Sequence, residues 1–167
     1  MFNRYVTNNK SWRFFIILTY NSNHNNHYTQ NHNNNNHSIL LVDDENDILN
    51  LFCDCLQKFG YETISFNNPI DALNYIYTNN ISNCSLIITD YKMPQMTGLE
   101  FIKKIREKDT TFKLKILLIS AFLKRNIMGN DASNSLRIDK IIEKPIHIEK
   151  LIEEVHKLTT GMNYIAT

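Results

Sequence analysis

From Ser38 onward the sequence predicts an α/β fold with a parallel sheet between helices, and three observations predict it. Short apolar runs alternate with amphipathic helical patterns about five times. The apolar runs are continuous, as in strands buried on both faces, and do not alternate with polar residues. Polar residues that could hold ligands stand at their ends: Asp43-Asp44, Asn67, Asp90, Ser120 and Lys144. Regular βα alternation implies a parallel sheet covered by helices on both sides.

The elements follow in order. Ile39 to Val42 is the first strand, halted at Asp43-Asp44. Ile48, Phe52, Cys55 and Phe59, with Leu49 and Leu56 beside them, mark one face of a helix, and Gly60 falls where a helix end favours a left-handed residue. Tyr61 to Phe66 reads as the second strand. Asn68 and Pro69 then serve as N-cap and first helical residue of a helix with Ala72, Leu73, Ile76 and Tyr77 inward, ending at Asn79-Asn80. Leu86 to Thr89 forms the third strand, and after Met93-Pro94 a helix carries Leu99, Phe101, Ile102 and Ile105. Ile116 to Ile119 is the fourth strand. Residues 121–137 are broken by Gly129, Asn130, Asp131, Ser133 and Asn134, so only a short or frayed helix is expected there. Ile141-Ile142 is the fifth strand, and Ile148, Leu151, Ile152, Val155 and Leu158 give the clearest apolar stripe.

Composition bounds the rest. The chain has 167 residues, with 18 Lys+Arg against 17 Asp+Glu. Residues 1–37 hold three cations and no acid, so the remainder is slightly acidic. Neither part builds the positive field that nonspecific nucleic-acid binding needs, and no direct nucleic-acid partner is expected. Positions 21–37 contain nine Asn and four His, with no aliphatic side chain, which predicts disorder. His24, His27, His32 and His37 lack the fixed geometry and supporting shell of a metal site. Domain limits are therefore 1–37 for the low-complexity extension, 38–160 for the folded domain and 161–167 for a short tail. Cys53, Cys55 and Cys84 are odd in number and without paired spacing, which indicates neither a disulfide framework nor zinc, and a cytoplasmic location is expected. The apolar stretch Phe14 to Leu18 is far shorter than the roughly 20 residues that span a bilayer, so no membrane association is expected.

In an open parallel sheet, ligands bind beyond the carboxyl ends of the strands, near the point where strand order reverses. Asp43, Asp44 and Asp90 converging there would repel one another without a cation among them. Hard oxygen donors suit Mg²⁺, which keeps several waters and leaves room for phosphate oxygens. An aspartate can attack phosphorus, provided that positive charge and a hydroxyl surround the phosphoryl oxygens.

The segments LLVDDE at 40–45, ITDYKMPQMTG at 88–98, LISA at 118–121 and EKP at 143–145 resemble the receiver domains of response regulators in two-component signalling, over about residues 38–160. The resemblance implies a flavodoxin-like (βα)5 doubly wound sheet of order 2-1-3-4-5. It implies Asp90 as phosphoacceptor, with Ser120 and Lys144 binding the phosphoryl group, and a peptide bond to Pro145 that the family tends to keep cis. It also implies Mg²⁺ held by Asp43, Asp44, Asp90 and the backbone carbonyl of Lys92. A sensor histidine kinase would be the donor, and a downstream protein would read the face formed by residues 121–137, the fifth strand and the last helix. Only nine residues follow Leu158, so a stand-alone receiver is expected, a switch with slow self-dephosphorylation and not a turnover enzyme. Two other functions fit the same fold, a phosphorylation-independent interaction module and an aspartate-nucleophile phosphatase. Phosphatases usually carry a second Asp two residues after the nucleophile, where this chain has Lys92. Ile141 stands where the family often has Tyr or Phe, so an aromatic ring that turns inward is not available, and Phe122 would shield the acyl phosphate from water.

Overall fold

The computed structural model describes residues 38–79, 83–109, 111, 113–121 and 136–161. The expectations placed on the N-terminal extension, on residues 122–135 including Phe122, and on residues 162–167 lie outside these.

Among the described residues, five strands and four helices are formed: β1 (Ser38–Val42), α1 (Asn46–Lys58), β2 (Glu62–Phe66), α2 (Pro69–Thr78), β3 (Cys84–Asp90), α3 (Gly98–Arg106), β4 (Lys115–Ser120), β5 (Lys140–Glu143) and α4 (Ile148–Thr160). All neighbouring strands pair in parallel, in the order β2-β1-β3-β4-β5. This is the expected doubly wound sheet. Strand order reverses between β1 and β3, so the carboxyl ends of these two strands form the crevice where such sheets hold ligands.

Alternation along each strand divides the core in two. Ile39, Leu41, Leu86, Ile88, Leu117, Ile119 and Ile142 pack with α1 and α4 on one face. Leu40, Val42, Ile87, Ile116, Leu118 and Ile141 pack with α2 and α3 on the other. A strand buried on both faces has little room for charged side chains until it emerges from the helices, so these collect at its end.

The local signals act as their chemistry requires. Asn68 accepts a hydrogen bond from Ile70 N at 2.8 Å and Pro69 opens α2. Gly60 adopts φ 84°, turning the chain from α1 towards β2 where a side chain would be strained. One signal escaped the sequence reading. Thr97 and Glu100 form a reciprocal capping box at the start of α3, a Thr-x-x-Glu pattern that was legible in the sequence.

Candidate functional site

Register brings the predicted residues together. Val42 pairs with Thr89 and Asp90 with Ile119, so Asp43, one step beyond Val42, stands level with Asp90 on the neighbouring strand. Ser120 pairs with Glu143, which places Lys144 one step further on. Of these side chains Asp43, Asp90 and Ser120 are buried, Lys144 is partly buried and Asp44 is exposed.

Asp90 is held from two sides. The Lys144 ammonium lies 2.6 Å from Oδ1, and the Lys92 backbone N–H donates to Oδ2 at 2.8 Å. Asp90 Oδ1 is buried, and the ammonium is its charge partner. The Lys144 N–H donates to Ser120 O at 2.7 Å, which ties it to the end of β4, and the Lys144-Pro145 peptide bond is cis. The expected cis bond is present.

Asp43 is the electrostatically exposed member in every sense but solvent. Its Oδ1 accepts from Glu45 N at 2.9 Å, while Oδ2 is buried without a hydrogen-bond partner. Burial pushes its pKa from 3.8 up to about 7; Lys144 and the Glu45 N–H oppose the rise, and the charges of Asp90 and Asp44 add to it. One ammonium is too little positive charge for this group of carboxylates.

Among the described residues, no three His, Cys, Asp or Glu side chains are grouped so as to hold a metal by themselves. A metal here must therefore take part of its shell from backbone and water. An orphaned carboxylate oxygen, an acid raised by burial, and an all-oxygen donor set fit a hard divalent cation.

The backbone beneath Asp90 is tightly packed. Gly98 N donates to Tyr91 O at 2.8 Å, and a Cβ at Gly98 would fall 2.3 Å from the Asp90 backbone oxygen. Only glycine fits there, at the last position of the ITDYKMPQMTG segment. Gln95 takes φ 70° at the crest of the same loop. Asn67, at the end of edge strand β2, donates to Asn46 Oδ1 at 3.1 Å and so ties the crevice rim to the start of α1. Ile141 is buried against the α2–α3 side of the core.

The sequence reading also missed Arg106. It is 8% exposed, and its guanidinium donates to Leu114 O, Leu136 O and Arg137 O and pairs with Asp109 at 2.7 Å. Its position after Ile105 on the inward stripe of α3 was the available signal.

Comparison with known proteins agrees with this geometry. The family model for the response regulator receiver domain matches residues 39–156. The response regulator receiver protein CpdR of Brucella abortus is 32% identical over 116 residues, covering 70% of this chain and 91% of that protein. The response regulator TrrA of Thermotoga maritima, solved in complex with Mg²⁺ and BeF, is 33% identical with a TM-score of 0.62, covering 73% of this chain and 98% of that one. The chemotaxis protein CheY4 of Vibrio cholerae is 25% identical with a TM-score of 0.63 over 73% of this chain and 98% of its own. Among the described residues no helix is long and apolar enough to cross a membrane. The chain belongs to the response regulator receiver domain family of two-component signalling.

Proposed function

We propose that this chain is a Mg²⁺-dependent phosphoacceptor that takes a phosphoryl group from a sensor histidine kinase onto Asp90 and switches its affinity for a downstream protein. The observation that carries the reading is the pairing of a buried strand-end aspartate, clamped by Lys144 at 2.6 Å, with a neighbouring carboxylate whose second oxygen has no partner.

The cation would be held by Asp43, Asp44, Asp90, the Lys92 carbonyl and water. When bound, it would neutralise the phosphoryl oxygens. A carboxylate oxygen of Asp90 bonds to phosphorus as the bond to the donor nitrogen breaks; that nitrogen keeps the electron pair, and the ring leaves as neutral imidazole because its other nitrogen carries a proton. Lys144, already beside Oδ1, accompanies the charge that develops on the transferred group. Ser120, one step beyond the strand partner of Asp90, would donate its hydroxyl to a phosphoryl oxygen. Retention of Lys144 and Ser120 by the new group draws on β4 and β5, and through them on the surface that a partner reads.

The test is incubation with acetyl phosphate, with and without Mg²⁺, followed by intact mass. A receiver gains one base-labile phosphoryl group only with Mg²⁺, and Asp90→Asn abolishes it. Continuous turnover of the phosphodonor would instead favour a phosphatase, and no modification under any condition would favour an interaction module; either outcome overturns the proposal.

A further inference from the structure

The sheet has two edges, and they are finished differently. β5 is short, begins at Lys140, ends at Glu143 and is followed closely by Pro145, so brevity, charge and a proline all discourage further pairing there. β2 lacks these guards. It contains no Lys and no Pro, and its one charge is Glu62 at the first position. Among the described residues β2 pairs with β1 alone.

Register shows which backbone groups stay open. Phe66 O accepts from Asp43 N at 3.2 Å, so the backbone of Phe66 faces β1, and so does that of Ile64 two residues earlier. Backbone groups alternate sides along a strand, so the N–H and C=O of Thr63 and Ser65 point to the outer edge, where no described residue pairs with them. Half-buried aromatic side chains flank this edge on both faces of the sheet. Tyr61 packs on the α1–α4 side, and Phe66 and Tyr75, with ring centres 5.2 Å apart, pack on the α2–α3 side. An apolar strand laid beside β2 would extend both layers.

The chain carries such a segment, which the phosphoacceptor chemistry does not use. Seven of the nine residues in WRFFIILTY, at 12–20, are β-branched or aromatic, and the run has no Pro or Gly. Like Ile39 to Val42, its centre is continuously apolar, the pattern of a strand covered on both faces. It holds Arg13 and no acid, so it sets no like charge against Glu62.

The connection is long enough. Ser38 opens β1 directly beside Glu62, and the slot outside β2 is two strand spacings away, roughly 10 Å. Residues 21–37 link the two, and a flexible chain of that length spans roughly 20–25 Å. Pairing within one chain therefore proceeds at high effective concentration and outcompetes pairing between copies.

We infer that residues 13–20 add to the outer edge of β2 as a further strand of the sheet. The N-terminal extension then closes the edge that the domain itself leaves unguarded and keeps it from a second copy of the chain.

The experiment measures amide hydrogen exchange by NMR on the full chain at two protein concentrations, beside the double variant Ile16→Pro/Ile17→Pro, which removes two donors from the segment without touching the five-stranded domain. Exchange at Thr63 and Ser65 should be at least about tenfold slower in the full chain than in the variant, at both concentrations and in a monomer by native mass. Exchange at Ile64, whose backbone faces β1, and labelling of Asp90 by acetyl phosphate should be equal in the two proteins. Cross-strand nuclear Overhauser contacts between Phe14–Leu18 and Thr63–Ser65 are expected in the full chain and absent from the variant. The inference fails if Thr63 and Ser65 exchange equally fast in both proteins. It fails too if their protection survives the prolines, since another segment then covers the edge, or if protection rises with concentration alongside a dimer, since the occupant is then a second copy.

Discussion

Gly98→Ala tests whether the floor beneath Asp90 is as tightly built as the structure shows. The new methyl would lie 2.3 Å from the Asp90 backbone oxygen, 2.9 Å from Leu118 Cδ1 and 3.0 Å from Tyr91 Cα. The leucine tip can rotate away, but the backbone cannot follow. Tyr91 N is bonded to Ile119 O at 2.7 Å, which fixes this stretch to β4. The first turn of α3 must therefore lift by about 1 Å to reach an ordinary contact, taking the 93–97 loop with it. Overpacking of this kind costs about 1–3 kcal/mol, partly offset by the lower unfolded-state entropy of alanine, for a net loss of about 1–2 kcal/mol. Urea denaturation should show that loss at unchanged slope. Labelling of Asp90 by acetyl phosphate should slow about tenfold to a hundredfold, since a displacement near 1 Å misaligns the reacting groups. Gly161→Ala is the control: φ there is 73° with nothing within 4 Å, so strain arises without crowding and labelling should be normal. A Gly98→Ala protein within about 0.5 kcal/mol of wild type and labelled at the wild-type rate would refute the reasoning.

Two further predictions concern charge. Asp43 has a folded pKa of about 7 against 3.8 ordinarily, so between those values the folded state binds the extra proton and metal-free stability should fall as pH rises from 4 to 7. Thermal melts in EDTA should show this decline, Asp43→Asn should remove most of it, and a flat profile in wild type would contradict the assigned burial. Mg²⁺ should raise the melting temperature above pH 7 by mass action on the folded state. Arg106→Met strips three carbonyls and a half-buried carboxylate of their common donor, and should cost about 2–4 kcal/mol by denaturant titration. Arg106→Lys should recover only part, because an ammonium cannot reproduce the fork of donors. Full recovery by lysine would show that charge alone matters there.

How much was legible in the sequence depended on whether a residue acts through its type or through its contacts. Strands with continuous apolar runs and helices with clear stripes were read to within two residues, because the burial that defines them is written in side-chain type. Asp43, Asp90, Ser120 and Lys144 were legible as strand-end polar residues, and register then brought them level. Gly98 was located but its necessity was not, since close approach to a carbonyl is a property of three dimensions. Arg106 was missed for the same reason: apart from Asp109, the partners that meet at its guanidinium are distant in the chain, at Leu114, Leu136, Arg137 and Asp139. The unsatisfied oxygen of Asp43 likewise needed coordinates, because burial strips away water without leaving a mark in the sequence.

The backbone bond from Lys144 N to Ser120 O means that the residue whose ammonium lies beside Asp90 and the serine at the end of β4 share a single stretch of ladder. A shift of the β4 backbone at Ser120 is therefore passed directly to the backbone of Lys144. A sensor wired this way would report one composite movement, transmitted along β4 and β5 together, and a substitution that loosened that single bond would blur the signal at both contacts at once.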